Sequence, residues 1–260
     1  QQAQVLLIVA LASFHGSGAL SQVNYSYAIA QIPVGVVDLI LFSTLFPFAA
    51  QLAANRQLDE LHRTFQSAAL GLLVLAVPIA CWVVIMRLAL VDALLTRGNF
   101  DADDAQTTAA LLLGHGLAIP AWVLEALGCR VLFALGQHRY YLGAVAIRLL
   151  AFAAIAPLGV AWLGLPGLSV AFAVSFIVGA GAAAWMVRRA LPGGSITHME
   201  WRFGAWLLSA VLVGTAVSTL VVQYFLAGFA PFWQIGVSGM ILVAVIGAGL
   251  WTMKRRDYFT

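Results

Sequence analysis

Long apolar stretches separated by short polar breaks run along the 260-residue chain. A helix needs about 20 apolar residues to cross the hydrocarbon core of a bilayer. On that measure the pattern predicts eight transmembrane helices, at residues 4–26, 33–53, 66–90, 107–135, 140–162, 167–187, 203–226 and 232–253. The predicted fold is therefore an all-α polytopic helix bundle. We expect a six-helix bundle over residues 1–190, and two additional helices with a short tail over residues 191–260.

Proline and glycine mark the ends and the irregularities of the predicted helices. Pro33 opens the second span, "GLPG" at 164–167 predicts a tight turn, and "LPGG" at 191–194 begins a longer polar loop. Prolines within spans predict kinked or broken helices, which are tolerated where the freed backbone groups face protein or a watery cavity. These prolines are Pro47, Pro78, Pro120 and Pro157.

Composition and charge place the chain in a membrane and orient it there. It is 63% hydrophobic and 9% charged, with a mean hydropathy of +0.98, whereas soluble domains are about one quarter charged. Basic residues occupy the even-numbered loops and the tail, and this alternation predicts cytoplasmic termini. The net charge of +3 follows from this topology, so we expect no nucleic-acid partner. Arg97 alone lies in an odd-numbered loop, the third. The basic residues of the even-numbered loops and the tail are Arg56, Arg63, Arg130, Arg139, Arg188, Arg189, Arg202, Lys254, Arg255 and Arg256.

The chain carries no enzymatic signature. It has no H-E-x-x-H, no G-x-S-x-G and no phosphate loop, so we expect neither enzymatic activity nor a cofactor. Cys81 and Cys129 lie in apolar runs and are interpreted as packing residues, with no disulfide or metal site. The start "QQAQVLL" does not look like a signal peptide, and we expect it to continue from a longer chain.

Three acids collect in "RGNFDADDAQTT", which the predicted topology places in an external loop. Negative charge is favourable at a helix N-terminus, so Asp103 or Asp104 is expected to cap the helix that follows.

Apart from the loop-flanking Arg130, four charged residues fall within the predicted spans: Asp38, Arg87, Glu125 and Arg148. Such groups cost at least ~2.5 kcal/mol at mid-bilayer and are candidates for a substrate pathway. Glu125 and Arg148 lie at similar depth on adjacent antiparallel helices, which predicts an ion pair. Asp38 and Arg87 are both expected near the outer face, where they could pair likewise, or Arg87 could extend to the lipid head groups. Within each pair the two charges either only neutralise each other, or they line a cavity and exchange partners with an anionic head group.

Two histidines adjoin glycines within spans. His15 adjoins Gly16 and Gly18, which could unwind the first helix, and it is a candidate cavity residue or a packing polar group. His115, beside Gly114 and Gly116, has the same two interpretations. Further glycines are expected to form close helix contacts. They are Gly179, Gly181, Gly247 and Gly249.

The loop and the helix after it, "RGNFDADDAQTTAALLLGHGLAIPAW", resemble the R-G-x-F-x-x-x-D-[ST] signature of the MurJ/MviN family of lipid II flippases. "QIPVGVVDLILFSTLFPFAA" and "CRVLFALGQHR" are similar to two further family segments, and one register fits from about residue 10 to 190. The matching residues are Arg97, Gly98, Phe100, Asp104, Gly116 and Leu117, then Pro33, Gly35 and Pro47, then Arg130, Ala134 and Arg139.

The resemblance implies a fourteen-helix flippase of the bacterial inner membrane, of which this chain is the C-terminal lobe. The implied substrate is a polyprenyl-linked saccharide or another anionic lipid, and the implied partners are the N-terminal lobe and membrane lipids. Transport would proceed by alternating access. Two alternatives stay open: an exopolysaccharide or other lipid exporter of the same superfamily, and a degenerate membrane scaffold that does not transport.

The chain departs from the family at one position that the resemblance assigns to the pyrophosphate cavity. Family flippases usually carry an arginine in the pattern Y-A-x-R, and the corresponding residue here is Ala28. This departure permits a polyprenyl-linked or lipid substrate other than lipid II.

Overall fold

The computed structural model describes residues 2–16, 18–95, 100–191, 233–241 and 243–244. Within these ranges the regular elements are helical, which confirms the predicted all-α class. In chain order they are α1 Gln2–Ala12, a 3₁₀ turn Ser13–His15, α2 Ala19–Ile40, a π-helical turn Leu41–Leu45, α3 Phe46–Ala54, α4 Leu58–Ile85, α5 Arg87–Leu95, α6 Ala102–Ala134, α7 His138–Leu163 and α8 Pro166–Ala190.

Five helical stretches of the described chain are long and apolar enough to cross a membrane. They are Ala19–Ala54, which joins α2, the π turn and α3, and then α4, α6, α7 and α8. The predicted spans over 66–187 therefore correspond to helices. Of the last two predicted spans, 203–226 lies outside the described residues, whereas 233–241 within the eighth is helical. This segment packs on α4, where Trp82 Nε1 donates a 3.1 Å hydrogen bond to Ser238 Oγ.

The predicted boundary between the first two spans is wrong. The break lies around Gly16 and Gly18, whose φ angles of 99° and 101° favour glycine, which has no Cβ. The predicted loop around residues 27–32 lies inside α2, and Pro33 lies inside the same helix rather than at its start. Ser26 explains the error, because it is polar and yet fully buried against protein. Hydropathy alone does not distinguish such a residue from a loop residue.

The prolines predicted to break helices have different effects. Pro47 follows the π turn and stands in the first turn of α3. Proline lacks the N–H that would continue the α-helical ladder, so a local change of helix type just before it has a physical cause. α4 continues beyond Pro78 to Ile85 and is then followed by α5 after a break at Met86. Pro120 and Pro157 lie inside uninterrupted helices, so neither breaks its helix, and the alternative of a kink at these two residues stays a prediction.

The capping residue of α6 is Asp101, not Asp103 or Asp104. Asp101 has an extended backbone, and its Oδ1 accepts hydrogen bonds from the backbone N–H groups of Asp103 at 3.0 Å and Asp104 at 2.9 Å. This is the usual geometry of an N-cap, in which the side chain satisfies donors left free in the first turn. The carboxylate of Asp104 is thereby left for another partner.

Helix α6 is central to the bundle and packs against α8, α4 and α2, while α8 also packs closely on α7. Small residues allow this close approach. A Cβ built on Gly159 would lie 2.6 Å from the carbonyl oxygen of Gly167, so the α7 and α8 backbones almost touch there. The expected close contact at Gly179 is present, whereas Gly181 has open space beside it. Gly247 and Gly249 lie outside the described residues.

Candidate substrate cavity

A cavity of about 520 Å³ opens between α2, α6, α7 and α8, and four charged side chains line it. Two acids and two bases balance its formal charge. Aromatic rings form much of the remaining wall. The lining residues are Asp38, Phe46, Trp122, Glu125, Ala126, Cys129, Arg130, Phe133, Tyr141, Val145, Arg148 and Phe176.

The deeper ion pair joins Glu125 of α6 to Arg148 of α7. Arg148 Nε donates a 2.9 Å hydrogen bond to Glu125 Oε1, and the two side chains are only 5% and 6% exposed. Arg148 Nη1 also donates to the side-chain oxygen of Gln4 on α1. Its guanidinium lies 4.7 Å from the centroid of the Phe176 ring, within the range of a cation–π contact. Arg148 is therefore held by three elements besides its own helix.

This pair confirms the prediction made from depth along the chain. Glu125 lies about 14 Å before the end of α6, and Arg148 about 15 Å after the start of α7, at about 1.5 Å per residue. The two helices are joined by a short turn at residues 135–137, so both depths are measured from the same point. Gly179 of α8 leaves room for the pair, since a Cβ there would lie 2.9 Å from Glu125 Oε1.

The second ion pair joins Asp38 of α2 to Arg130 of α6, with Asp38 Oδ1 3.1 Å from Arg130 Nη2. Asp38 was expected near the outer face with Arg87, and that expectation is wrong. Because α2, the π turn and α3 together form one helical stretch from Ala19 to Ala54, Asp38 lies near the middle of that stretch. Its partner lies four residues before the end of α6.

Arg87 and His15 lie away from this cavity. Arg87 begins α5, and its Nη1 donates a 2.9 Å hydrogen bond to the carbonyl oxygen of Val84. His15 is exposed in the 3₁₀ turn, with Nδ1 3.1 Å from the carbonyl oxygen of Leu11. A role in a substrate pathway stays a prediction for both residues.

The residues that matched the family signature lie in different parts of the fold. Asp104 Oδ1 accepts a 2.6 Å hydrogen bond from Gln22 Nε2, and Phe100 meets Tyr25 edge-on at 6.2 Å, so both contact the first turns of α2. Of the other matches, Arg130 lines the cavity and Arg139 is exposed in the first turn of α7. The remaining matches are Pro33 and Gly35 in α2, Pro47 in α3, Gly116, Leu117 and Ala134 in α6, and Arg97 and Gly98, which lie outside the described residues.

His115 is a packing residue rather than a cavity residue. It is 1% exposed, and its Nδ1 lies 3.0 Å from Ser26 Oγ. An aromatic layer adjoins it, in which Trp122 stacks on the Tyr27 ring at 5.4 Å and Phe172 meets the His115 ring at 4.9 Å. This layer joins α2, α6 and α8, and its α6 members His115 and Trp122 precede Glu125 along that helix.

Several residues of the site were not expected from the sequence. Gln4 stands in an apolar run and gives no sign of a buried partner, and Arg130 was interpreted only as a loop-flanking base and a family match. Cys129 was expected to pack in the core, yet it lines the cavity. The sequence does carry one usable signal, the i, i+4 spacing of Glu125 and Cys129, which puts these two residues on one face of α6.

The described ranges contain no group of three His, Cys, Asp or Glu side chains placed as metal ligands would be. The expectation that no cofactor is required stays a prediction.

Comparison with known proteins assigns this fold to a family. A family model described as lipid II flippase MurJ matches residues 1–244. The chain belongs to the lipid II flippase MurJ family. A protein named probable lipid II flippase MurJ from Haemophilus influenzae is 22% identical over 229 residues, which cover 86% of this chain and 44% of that protein. A protein of the same name from Rhizobium meliloti is 30% identical over 107 residues, or 41% of this chain and 20% of that protein.

A solved structure shows the same fold. It is described as lipid II flippase MurJ in an inward closed conformation, and it matches with a TM-score of 0.81 and 16% identity. The match covers 98% of this chain and 51% of the solved chain. This chain therefore spans about half the length of that flippase, just as it spans less than half of the Haemophilus relative.

Proposed function

We propose that this chain is the C-terminal lobe of a MurJ/MviN-type flippase that moves a polyprenyl-linked saccharide, lipid II or a related cell-wall precursor, across the bacterial inner membrane. The observation that carries the proposal is the cavity, because it places two arginine–carboxylate pairs within a transmembrane bundle. Buried charges are expensive in a membrane and are found mainly where they serve substrate or ion pathways. A scaffold without transport activity would require neither the cavity nor the four charges.

The chemistry of the cavity suits an anionic head group. Arg130 and Arg148 present guanidinium groups, whose planar donors match phosphate oxygens. Asp38 and Glu125 neutralise the two arginines, which lowers the cost of keeping two cations inside the bundle. Phe133 and Tyr141 extend the wall with aromatic surface, on which a sugar ring or the start of a lipid tail can pack.

Transport requires the rest of the protein. The relatives are about twice as long, so the facing wall of the pathway would come from the other lobe. We propose alternating access, in which the two lobes rock about the cavity while the lipid tail stays in the bilayer. The alternation of basic loops supports cytoplasmic ends for this lobe.

One observation favours a substrate other than lipid II. Ala28 lies exposed on α2 at the position where family flippases usually carry arginine. A site with one cation fewer would bind a diphosphate less strongly and would tolerate a lipid with lower negative charge.

Reconstitution tests the proposed function. The full-length protein in proteoliposomes should expose a fluorescent lipid II analogue, or a related polyprenyl-linked saccharide, to an external quencher, whereas residues 1–260 alone should not. A full-length protein that moves no polyprenyl-linked saccharide would contradict the proposal. Robust flipping by the isolated chain would contradict the need for a second lobe.

A further inference from the structure

The two ion pairs of the cavity differ in how firmly they are held. Arg148 is 5% exposed and is bound by Glu125, Gln4 and the Phe176 ring. The side chain of Arg130 is 22% exposed and that of Asp38 is 41% exposed. Among the described residues, Asp38 is the one acid within ion-pair distance of Arg130. The pair at Arg130 is therefore the one that a ligand can open.

The contact between Arg130 and Asp38 is also incomplete. One guanidinium nitrogen lies 3.1 Å from one carboxylate oxygen, and that oxygen, although enclosed, has no hydrogen-bond partner. An arginine bound at full strength makes two parallel N–H···O bonds to a carboxylate or a phosphate. The Arg130 donors are thus only partly used, and a partly exposed pair of this kind contributes little to stability.

We propose that Arg130 binds the phosphate of the substrate head group and that Asp38 is its internal competitor. The inference rests on the proposed function and assigns the two ion pairs separate roles. Phosphate displaces the Asp38 carboxylate and takes the paired N–H donors, while Glu125–Arg148 stays closed as part of the wall. Asp38 keeps Arg130 neutralised between transport cycles.

The exchange has a mechanical consequence for α2. Asp38 lies three residues before the π turn Leu41–Leu45, so its release detaches α2 from α6 beside an irregular helix segment. The other end of α2 stays tied to α6, through Gln22–Asp104 and Ser26–His115. Head-group binding would therefore free one end of α2 and leave the other end fixed.

Cys129 offers a direct readout, because it lines the same cavity and immediately precedes Arg130. We suggest the full-length protein with all cysteines other than Cys129 replaced by alanine, reacted with a small neutral maleimide at rising concentrations of inorganic pyrophosphate and constant ionic strength. Pyrophosphate should slow the labelling. Asp38→Asn should lower the half-protecting concentration about fivefold, because the competing carboxylate is gone. Arg130→Gln should raise it about tenfold or more, because the paired donors are lost.

Matched controls separate this effect from a general change of charge. Asp59→Asn and Arg63→Gln make the same substitutions in the exposed first turns of α4, away from the cavity, and should leave protection unchanged. A gain of protection in Asp38→Asn cannot come from misfolding, so that variant keeps the test decisive if Arg130→Gln folds poorly. Equal protection in wild type and Asp38→Asn, or weaker protection in Asp38→Asn, would overturn the proposal.

The flipping assay on the same preparation keeps the two claims apart. If wild-type protein flips lipid and Asp38→Asn shows no gain of pyrophosphate protection, the exchange is refuted and the transport function stands. If protection responds as expected but no polyprenyl-linked lipid is moved, the proposed function is refuted instead.

Discussion

Breaking the Glu125–Arg148 pair should cost far more than removing it entirely. Taking away one partner of a buried ion pair leaves an uncompensated charge, which typically costs about 3–5 kcal/mol, whereas replacing both partners is often nearly neutral. The two side chains are 5% and 6% exposed and meet at 2.9 Å, so little solvent screening reduces this figure. We expect Glu125→Gln and Arg148→Met each to destabilise, and the double variant to recover most of the loss.

The structure also predicts which single change is worse. In Glu125→Gln the Arg148 guanidinium still contacts the side-chain oxygen of Gln4 and the Phe176 ring, so the free energy of unfolding should fall by about 3 kcal/mol. In Arg148→Met the Glu125 carboxylate loses the partner that donates its hydrogen bond, and Gln4 loses its donor as well. That cost should approach about 5 kcal/mol.

Unfolding of the full-length variants by sodium dodecyl sulfate in mixed micelles measures these free energies. The double-mutant cycle should give a coupling energy of about 3 kcal/mol or more. If the two losses simply add, the side chains do not interact and the reasoning from their geometry is wrong. Flipping by the double variant then distinguishes the two roles left open by the sequence. A pair that only neutralises itself permits transport, whereas a pair that takes part in head-group binding does not.

Two further predictions follow from the packing and the topology. Gly179→Ala should destabilise the full-length protein by about 1–3 kcal/mol in the same unfolding titration, because the added Cβ would lie 2.9 Å from Glu125 Oε1. Gly181→Ala, with open space beside it, should be near neutral. Equal effects of the two substitutions would show that the close contact is absent. Cysteines placed at Asp101 and Arg189 should be labelled from opposite sides of the membrane, and modification of both by an impermeant reagent in intact cells would show that the orientation derived from the basic loops is wrong.

Depth along the chain located one ion pair and missed the other for a physical reason. Glu125 and Arg148 are counted from the same short turn between α6 and α7, so an error in locating the membrane shifts both equally. Asp38 and Arg87 were counted from different boundaries, and the boundary assumed for Asp38 was misplaced. Arg130 was not considered as its partner because α2 and α6 are not consecutive, and sequence distance carries no information about their register.

The misplaced boundary shows what hydropathy detects in a membrane protein. "NYSYAIAQ" is more polar than its surroundings, and the pattern therefore indicated a loop. In the structure Ser26 pairs with His115 and the Tyr27 ring stacks on Trp122, so one face of this segment contacts protein. Asn24, Tyr25 and Gln31 of the same segment are exposed. Hydropathy reports affinity for lipid, and it fails where one helix face is buried against a polar neighbour. The glycines at 16 and 18 were the better signal of a break, because positive φ is a backbone requirement that does not depend on the neighbours.

The placement of the two ion pairs relates stability to movement in this lobe. Glu125–Arg148 joins the consecutive helices α6 and α7 and is enclosed by Gly179 of α8, where a Cβ would lie 2.9 Å from Glu125 Oε1. An exchange of partners there would disrupt the core of the bundle. Asp38–Arg130 joins α6 to a helix that is interrupted by a π turn a few residues later, so opening it disturbs only that helix. A substrate pathway requires one wall that stays fixed and one element that moves. In this cavity Glu125–Arg148 belongs to the fixed wall, and Asp38–Arg130 holds the element that moves.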